Sequence, residues 1–210
     1  MPLRALMAVL APPLCAACGV HAAELEPLCA RCRAGLRWLP DVARVAGIAV
    51  WAPLGYEGPA RAVVRALKFR GALRVADAMA AQIAVNAPPG ALERGRLVPV
   101  PLHPSRRRRR GYNQAERLAV AIASRTGLAV RDCLERSGPA STQVGRDRSE
   151  RLHALAGAVA VRRGAVVPRR AILVDDVVTT GGTVAACAEA LRAAGASEVS
   201  AVAYARTPGR

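Results

Sequence analysis

Apolar and polar positions along this chain of 210 residues fall into blocks that read alternately as strands and helices. The clearest block is Ala171 to Val174, four apolar residues in a row, the pattern of a short strand in a parallel sheet covered on both faces. Asp175 and Asp176 follow at its carboxyl end, then Val177, Val178 and the small turn Thr179-Thr180-Gly181-Gly182-Thr183. Val184, Cys187, Ala188 and Leu191 recur at helical spacing, and Gly195 stands where that helix would stop. Upstream, Gly47 to Leu54 predicts a strand, and Tyr56-Glu57-Gly58-Pro59 a turn into a helix. That helix places Val63, Val64 and Leu67 on one face and ends at Lys68-Phe69-Arg70-Gly71. Ala72 to Val85 predicts a second helix, closed by Asn86 and Pro88-Pro89-Gly90. Leu97 to Leu102 predicts a strand whose prolines require a sheet edge or a strand end. Ala115 to Ser124 is a helix with Leu118, Ala121 and Ile122 inward, Ala156 to Val161 and Val199 to Tyr204 are strands, and Arg162 to Arg170 is a basic connection. The fold class is therefore α/β, a parallel sheet flanked by helices.

The stretch from Ala171 to Thr183 carries the chemistry. Open α/β sheets place ligands at the carboxyl ends of their strands, where Asp175 and Asp176 are expected. The turn after them opens a helix, whose first N–H groups point outward and whose dipole favours an anion. Gly181 and Gly182 let backbone approach a ligand, and the threonine hydroxyls can donate to phosphate oxygens. A phosphate cradle beside two carboxylates describes a divided ligand: a terminal phosphate at one end, and a sugar diol, a Mg²⁺ ion or both at the other. A P-loop fits poorly, because no Gly-Lys-[Ser/Thr] follows and two acids precede the turn. The plain alternative is a solvated aspartate pair before an ordinary turn.

Cys15-Ala-Ala-Cys18 and Cys29-Ala-Arg-Cys32 form a four-cysteine pattern in which two clips complete one tetrahedral Zn²⁺ site. Two disulfides are the alternative, and reduced thiols are the norm inside a cell. A closed four-sulfur site is structural. His21 reads as a surface residue, Cys133 and Cys187 as buried small hydrophobes. The zinc-binding segment covers residues 1–46, with Asp41 to Ala46 as its link to a main domain over residues 47–210.

Hydrophobic residues make up 52% of the chain, but aromatics only 3%, so Ala, Val and Leu must fill the core. Net charge is +16, which points to anionic partners. Lys68 is the only lysine, so arginine supplies nearly all of the basic charge. Arg106, Arg107, Arg108, Arg109 and Arg110 lie between a predicted strand and helix and are expected in a loop near the ligand edge, either merely solvated or contacting nucleic acid or pyrophosphate. Ser137 to Arg151 lacks apolar periodicity and has the length of a lid. The apolar run Ala5 to Leu10 is too short to span a membrane, and no later stretch reaches about eighteen apolar residues, so a soluble, cytoplasmic protein is expected.

The thirteen positions Ala171 to Thr183 resemble the phosphoribosyl pyrophosphate (PRPP) motif of type I phosphoribosyltransferases. That resemblance implies that Asp175 and Asp176 hold the ribose 2′- and 3′-hydroxyls and that Thr179, Thr180, Gly181, Gly182 and Thr183 wrap the 5′-phosphate. With the cysteine clips, Tyr56-Glu-Gly-Pro59, Lys68-Phe-Arg-Gly71, Pro99-Val-Pro-Leu102 and Arg110-Gly-Tyr-Asn-Gln114 in order, the whole chain resembles the ComF family. The family implies a type I phosphoribosyltransferase-like fold behind a zinc-binding segment, and a cytoplasmic role with imported single-stranded DNA and DNA-uptake proteins in natural transformation. The arginine run is denser than the family pattern. The resemblance further implies Mg²⁺ with PRPP, the loop after Leu102 facing pyrophosphate, and Ser137 to Arg151 as the closing lid. Lys68, an ammonium in a chain that otherwise uses arginine, suggests a phosphate contact. No general base stands out. Three functions remain open: transfer of phosphoribosyl to an unknown acceptor, PRPP or nucleotide binding without catalysis, and single-stranded DNA binding, for which aromatic residues are scarce.

Overall fold

The computed structural model describes residues 14–23, 26–69, 73–137 and 158–208. Its elements, in chain order, are α1 (Ala30–Ala34), β1 (Ala43–Val45), β2 (Ile48–Trp51), β3 (Leu54–Gly55), α2 (Gly58–Phe69), α3 (Leu73–Asn86) and β4 (Arg96–Pro99). They continue with α4 (Pro104–Arg110), α5 (Gln114–Thr126), β5 (Leu134–Arg136), β6 (Val159–Val161), β7 (Arg170–Val178), α6 (Gly182–Ala193) and β8 (Glu198–Arg206). The main sheet runs β1-β2-β8-β7-β4, with β3 also on β8. Every pair in it is parallel except β1–β2, and β5–β6 forms a separate antiparallel pair.

Strand β7 is central, between β8 and β4, and its apolar residues divide between two cores as a two-residue period requires. Ile172 and Val174 join a cluster with Val63, Val64 and Leu67 of α2, Met79 and Ile83 of α3, and Leu118 and Ile122 of α5. Ala171 and Leu173 join the other cluster, with Val184, Cys187 and Leu191 of α6 and with Leu134 and Val159 of the small sheet. Each fully buried Leu, Ile or Val contributes roughly 1.5–3 kcal/mol. The many alanines let helices lie close to the sheet instead of adding bulk. The cysteine segment is not a detached appendage, because Cys15, Ala22, Leu28 and Leu36 belong to the first cluster.

The prolines of the Leu97–Leu102 stretch are accommodated as expected: β4 is an edge strand that ends at Pro99. Three expectations change. The predicted strand Gly47 to Leu54 is broken into β2 and β3, with Pro53 in the gap. The expected link Asp41 to Ala46 contains β1, which pairs with β2 across the turn Ala46-Gly47, both at positive φ, 49° and 76°. That two-residue hairpin turn matches the twist of its strands. Asp41 Oδ2 accepts a 2.7 Å hydrogen bond from the buried Arg206 at the end of β8, which fixes the hairpin to the sheet.

The third change concerns the arginine run, which is not a loop. Residues 104–110 form α4: the His103 ring accepts from the Ser105 N–H at 3.2 Å, Pro104 starts the helix, and Gly111 closes it in the left-handed region. Periodicity gave no sign of this helix because it has no apolar face. The lid expected over residues 137–151 lies outside the described residues from Gly138 onward, as do Arg70, Gly71 and the start of the Ala156–Val161 strand.

Candidate functional site

Strand β7 extends beyond Val174 to Val178, paired with β8 at Asp175, Val177 and Val178, so the two aspartates sit inside its carboxyl half. Consecutive strand residues point to opposite faces, and the two carboxylates meet different surroundings. Asp176 is buried on the α2–α5 side. Its Oδ1 accepts from Gln114 Nε2 at 3.3 Å, and its Oδ2 lies 2.8 Å from Lys68 Nζ, at the end of α2. This contact is a buried ion pair.

Asp175 is on the α6–β5 side, in the field of Arg136 and Cys187. Its Oδ1 accepts from the Asp176 backbone N–H at 2.8 Å. Burial, and then the negative charge of Asp176, push the Asp175 carboxyl well above its ordinary value, with Lys68 acting in the opposite sense. Burial also pushes the neighbouring Cys187 thiol up and draws the Arg136 guanidinium down, the latter aided by Arg106.

Val177 and Val178 complete β7 and pack into the two cores, where they hold the strand end rather than face solvent. Thr179 and Thr180 are exposed, Gly181 and Gly182 buried, and Thr183 half-buried. Gly181 is the N-cap of α6 at φ 76°, and a Cβ there would fall on Cγ1 of Val45 in β1. Only glycine fits, for conformation and for space. Among the described residues no side chain caps α6, and its first turn has no acid, which leaves its N–H groups available to an outside anion.

The Gly111-Tyr112-Asn113-Gln114 turn ties the site together. Tyr112 donates its hydroxyl hydrogen bond to the Leu67 carbonyl, next to Lys68. Asn113 Nδ2 donates to the Val100 carbonyl at 3.0 Å, while its Oδ1 caps α5 through the Ala115 N–H at 3.1 Å. Arg110 donates to Gln114 Oε1 at 3.0 Å and stacks 5.3 Å above the Phe69 ring, so it serves the Asp176 side, while Arg106 to Arg109 are exposed. A cavity of about 350 Å³ bounded by Pro101, Leu102, Arg107, Arg108 and Arg136 lies beside this turn.

Sequence reasoning gave no role to Gln114, Tyr112 or Arg136. The first two stand in a quoted motif, and Arg136 had no signal, being one arginine of thirty in the chain and remote from every motif.

The second candidate site is the cysteine cluster. Cys15 and Cys18 close a turn in which the Gly19 N–H donates to the Cys15 carbonyl, and Cys29 and Cys32 flank the start of α1. All four Sγ atoms lie within 4.8 Å of one another, and Cys18 and Cys29 are 3.7 Å apart. A disulfide requires about 2.0 Å, so the sulfurs form one group around a point where a metal ion fits. The four thiols do not share one proton affinity. Cys15 is lowered to about 6, its burial outweighed by N–H donors of Cys29, Cys18 and Ala17, while hydrogen bonding to Cys18 and then burial raise Cys32 to about 12. His21 is exposed and outside the cluster, and Cys133 and Cys187 are buried in the second core.

A family model described as phosphoribosyl transferase domain matches residues 69–210. Competence protein F of Haemophilus influenzae is 35% identical over 106 residues, 49% of this chain and 46% of that protein. Competence protein ComFC of Streptococcus pneumoniae is 34% identical over 103 residues, 49% of this chain and 44% of that protein. These matches thus span less than half of either competence protein. DNA utilization protein YhgH of Salmonella typhimurium is 31% identical over 192 residues, 89% of this chain and 81% of that protein.

Proposed function

The chain belongs to the phosphoribosyl transferase domain family and, within it, to the ComF family, and from that membership we propose that the carboxyl edge of its sheet binds the ribose 5-phosphate part of PRPP. One observation carries the reading: two aspartates at the end of β7 run into a glycine-closed turn and an uncapped helix N-terminus. The 5′-phosphate lies on Thr179, Thr180, Gly181, Gly182 and Thr183, where backbone N–H groups and hydroxyls donate. Asp175 and Asp176 accept from the ribose diol, and Lys68 supplies positive charge beside it. Mg²⁺ enters with the pyrophosphate of the ligand and offsets its charge. Calorimetric titration of zinc-replete protein with PRPP, with and without Mg²⁺, tests this. Saturable binding weakened by Thr180→Val supports it, and no binding of PRPP or ribose 5-phosphate at about millimolar concentration, far above ordinary site affinities, ends it. Release of pyrophosphate with candidate acceptors separates a transferase from a non-catalytic binder.

The cysteine cluster holds structural zinc. Four Zn–S bonds of about 2.3 Å set sulfur–sulfur edges near 3.8 Å, which the 3.7 Å between Cys18 and Cys29 fits. Thiolate binding would displace the protons held there, most firmly at Cys32. Elemental analysis after purification under reducing conditions should give one zinc per chain.

The partner reading is single-stranded DNA, together with DNA-uptake proteins, in the cytoplasm. It is supported by the +16 charge, the exposed Arg106 to Arg109 and the similarity to competence and DNA utilization proteins. Among the described residues no helix is long and apolar enough to cross a membrane. Replacing Arg106 to Arg109 by serine should weaken binding and flatten its salt dependence.

A further inference from the structure

We propose that the outer side of α2 and the first cysteine turn form a groove for single-stranded nucleic acid, in which Arg61 and Arg65 hold phosphates and Phe69 stacks on a base. The inference rests on the single-stranded DNA reading above and adds to it a binding surface separate from the arginine run.

The groove follows from the spacing along α2. Residues four apart share a helix face, so Gly58, Ala62 and Ala66 form one row and Arg61, Arg65 and Phe69 the next. The first row has almost no side chain and makes a floor, and the second makes a rim. Ala16 and Ala17, between Cys15 and Cys18, supply the other wall of a cavity of about 660 Å³. No acid lines it. Glu57, which precedes the helix, is engaged with Arg37 at 3.1 Å. Arg61 and Arg65 are both exposed, and among the described residues no ion pair involves either of them.

Phe69 decides the class of ligand. It is the only phenylalanine of the chain, and it is 65% exposed. Exposure of one apolar residue means little by itself. Here the ring is the third member of a row that begins with two unpaired cations, and Arg110 stands 5.3 Å over it, so it belongs to a basic surface. Guanidinium groups alone attract any anion. A flat ring in line with them matches a polymer that alternates phosphates with flat bases. Each step of four residues along the helix advances about 6 Å, close to one nucleotide of an extended strand. A duplex keeps its bases stacked inside and offers no free face to the ring. An acidic peptide brings the charge without the flat rings. Arg110 ends α4, so the exposed Arg106 to Arg109 continue the basic surface beyond Phe69.

Fluorescence anisotropy on the zinc-replete full chain, with oligothymidylate and with an abasic strand of the same length, tests the groove. Phe69→Leu keeps apolar bulk and loses the flat ring. It should weaken oligothymidylate binding by about fivefold or more, the low end for one base stacked on an aromatic ring, and leave the abasic strand unaffected. Phe69→Trp should bind at least as well as wild type. Arg61→Ser with Arg65→Ser should lower the slope of log affinity against log salt by about 1.4, from roughly 0.7 for each of two phosphates on a single strand. Ala17→Glu sets an acid in the opposite, exposed wall without touching α2, and should also weaken oligothymidylate. Equal loss for both strands in Phe69→Leu, an unchanged slope in the arginine pair, wild-type affinity in Ala17→Glu, or polyglutamate bound as tightly as oligothymidylate overturns the inference while the single-stranded DNA reading stands. Failure of wild type to bind oligothymidylate overturns both.

Discussion

Strand β7 carries the same residue twice in succession, and its two faces treat that residue in opposite ways. On the α2–α5 face, Asp176 has a cation and an amide donor, each brought from far along the chain. On the α6–β5 face, Asp175 has a backbone N–H from its own neighbour, and burial and the charge of Asp176 outweigh Lys68 and raise the pKa of its carboxyl. One face gives its carboxylate a cation and an amide donor, and the other gives its carboxyl burial and the negative charge of its neighbour. A site of this kind is asymmetric before any ligand arrives.

The largest test of the comparison is metal removal. Among the described residues, Cys15, Ala22, Leu28 and Leu36 of the cysteine segment pack into the cluster on the Asp176 face, so chelation should loosen that face first. Zinc contributes on the order of 10–16 kcal/mol to folding of small zinc modules. Hydrogen exchange should show lost protection in α2 before α6, and uniform loss on both faces would erase the distinction.

Next in size is Asp176→Asn, which leaves the Lys68 ammonium poorly solvated and without its carboxylate. It should destabilise by about 3 kcal/mol in chemical denaturation, the low end for a broken buried pair because Lys68 keeps some water. Denaturation identical to wild type would mean that the ion pair is not formed.

Gly181→Ala strains the turn that joins both faces to the phosphate cradle. The left-handed φ and the contact with Val45 should together cost about 2 kcal/mol and weaken PRPP binding. Val45→Ala in the same chain should recover the part due to space but not the part due to φ.

The smallest effect has the opposite sign. The folded-state pKa of Asp175 is raised above its ordinary 3.8, so the fold binds the proton more tightly than the unfolded chain does. Stability from this group is complete below the ordinary value and is lost as pH rises through the raised one. Asp175→Asn should therefore raise the melting temperature at neutral pH, with the gain vanishing near about pH 4. A loss of stability at neutral pH would show that the Asp175 carboxylate is not penalised by its burial.

The local features of this protein were legible in sequence because their causes are local. An apolar run, two acids, a Thr/Gly turn and a helical repeat specify strand, loop and helix within thirteen residues plus one helix, and β7 and α6 form there. The cysteine spacing likewise brings four sulfurs together through short turns. The failures share one cause as well: α4 is a helix made by caps and not by periodicity, and β1 is a strand made by its partner β2.

Sequence by itself therefore determined the α/β pattern, the strand–turn–helix that offers N–H groups to an anion, and the cysteine cluster. Tertiary structure alone decided which aspartate meets Lys68, that Arg110 turns inward to Gln114 and Phe69 while its neighbours face solvent, and that Arg136 stands near Asp175. Those outcomes depend on which helices the sheet packs against each face. Identical neighbouring residues carry no local signal that could assign one to each side until the strand is placed between its two cores.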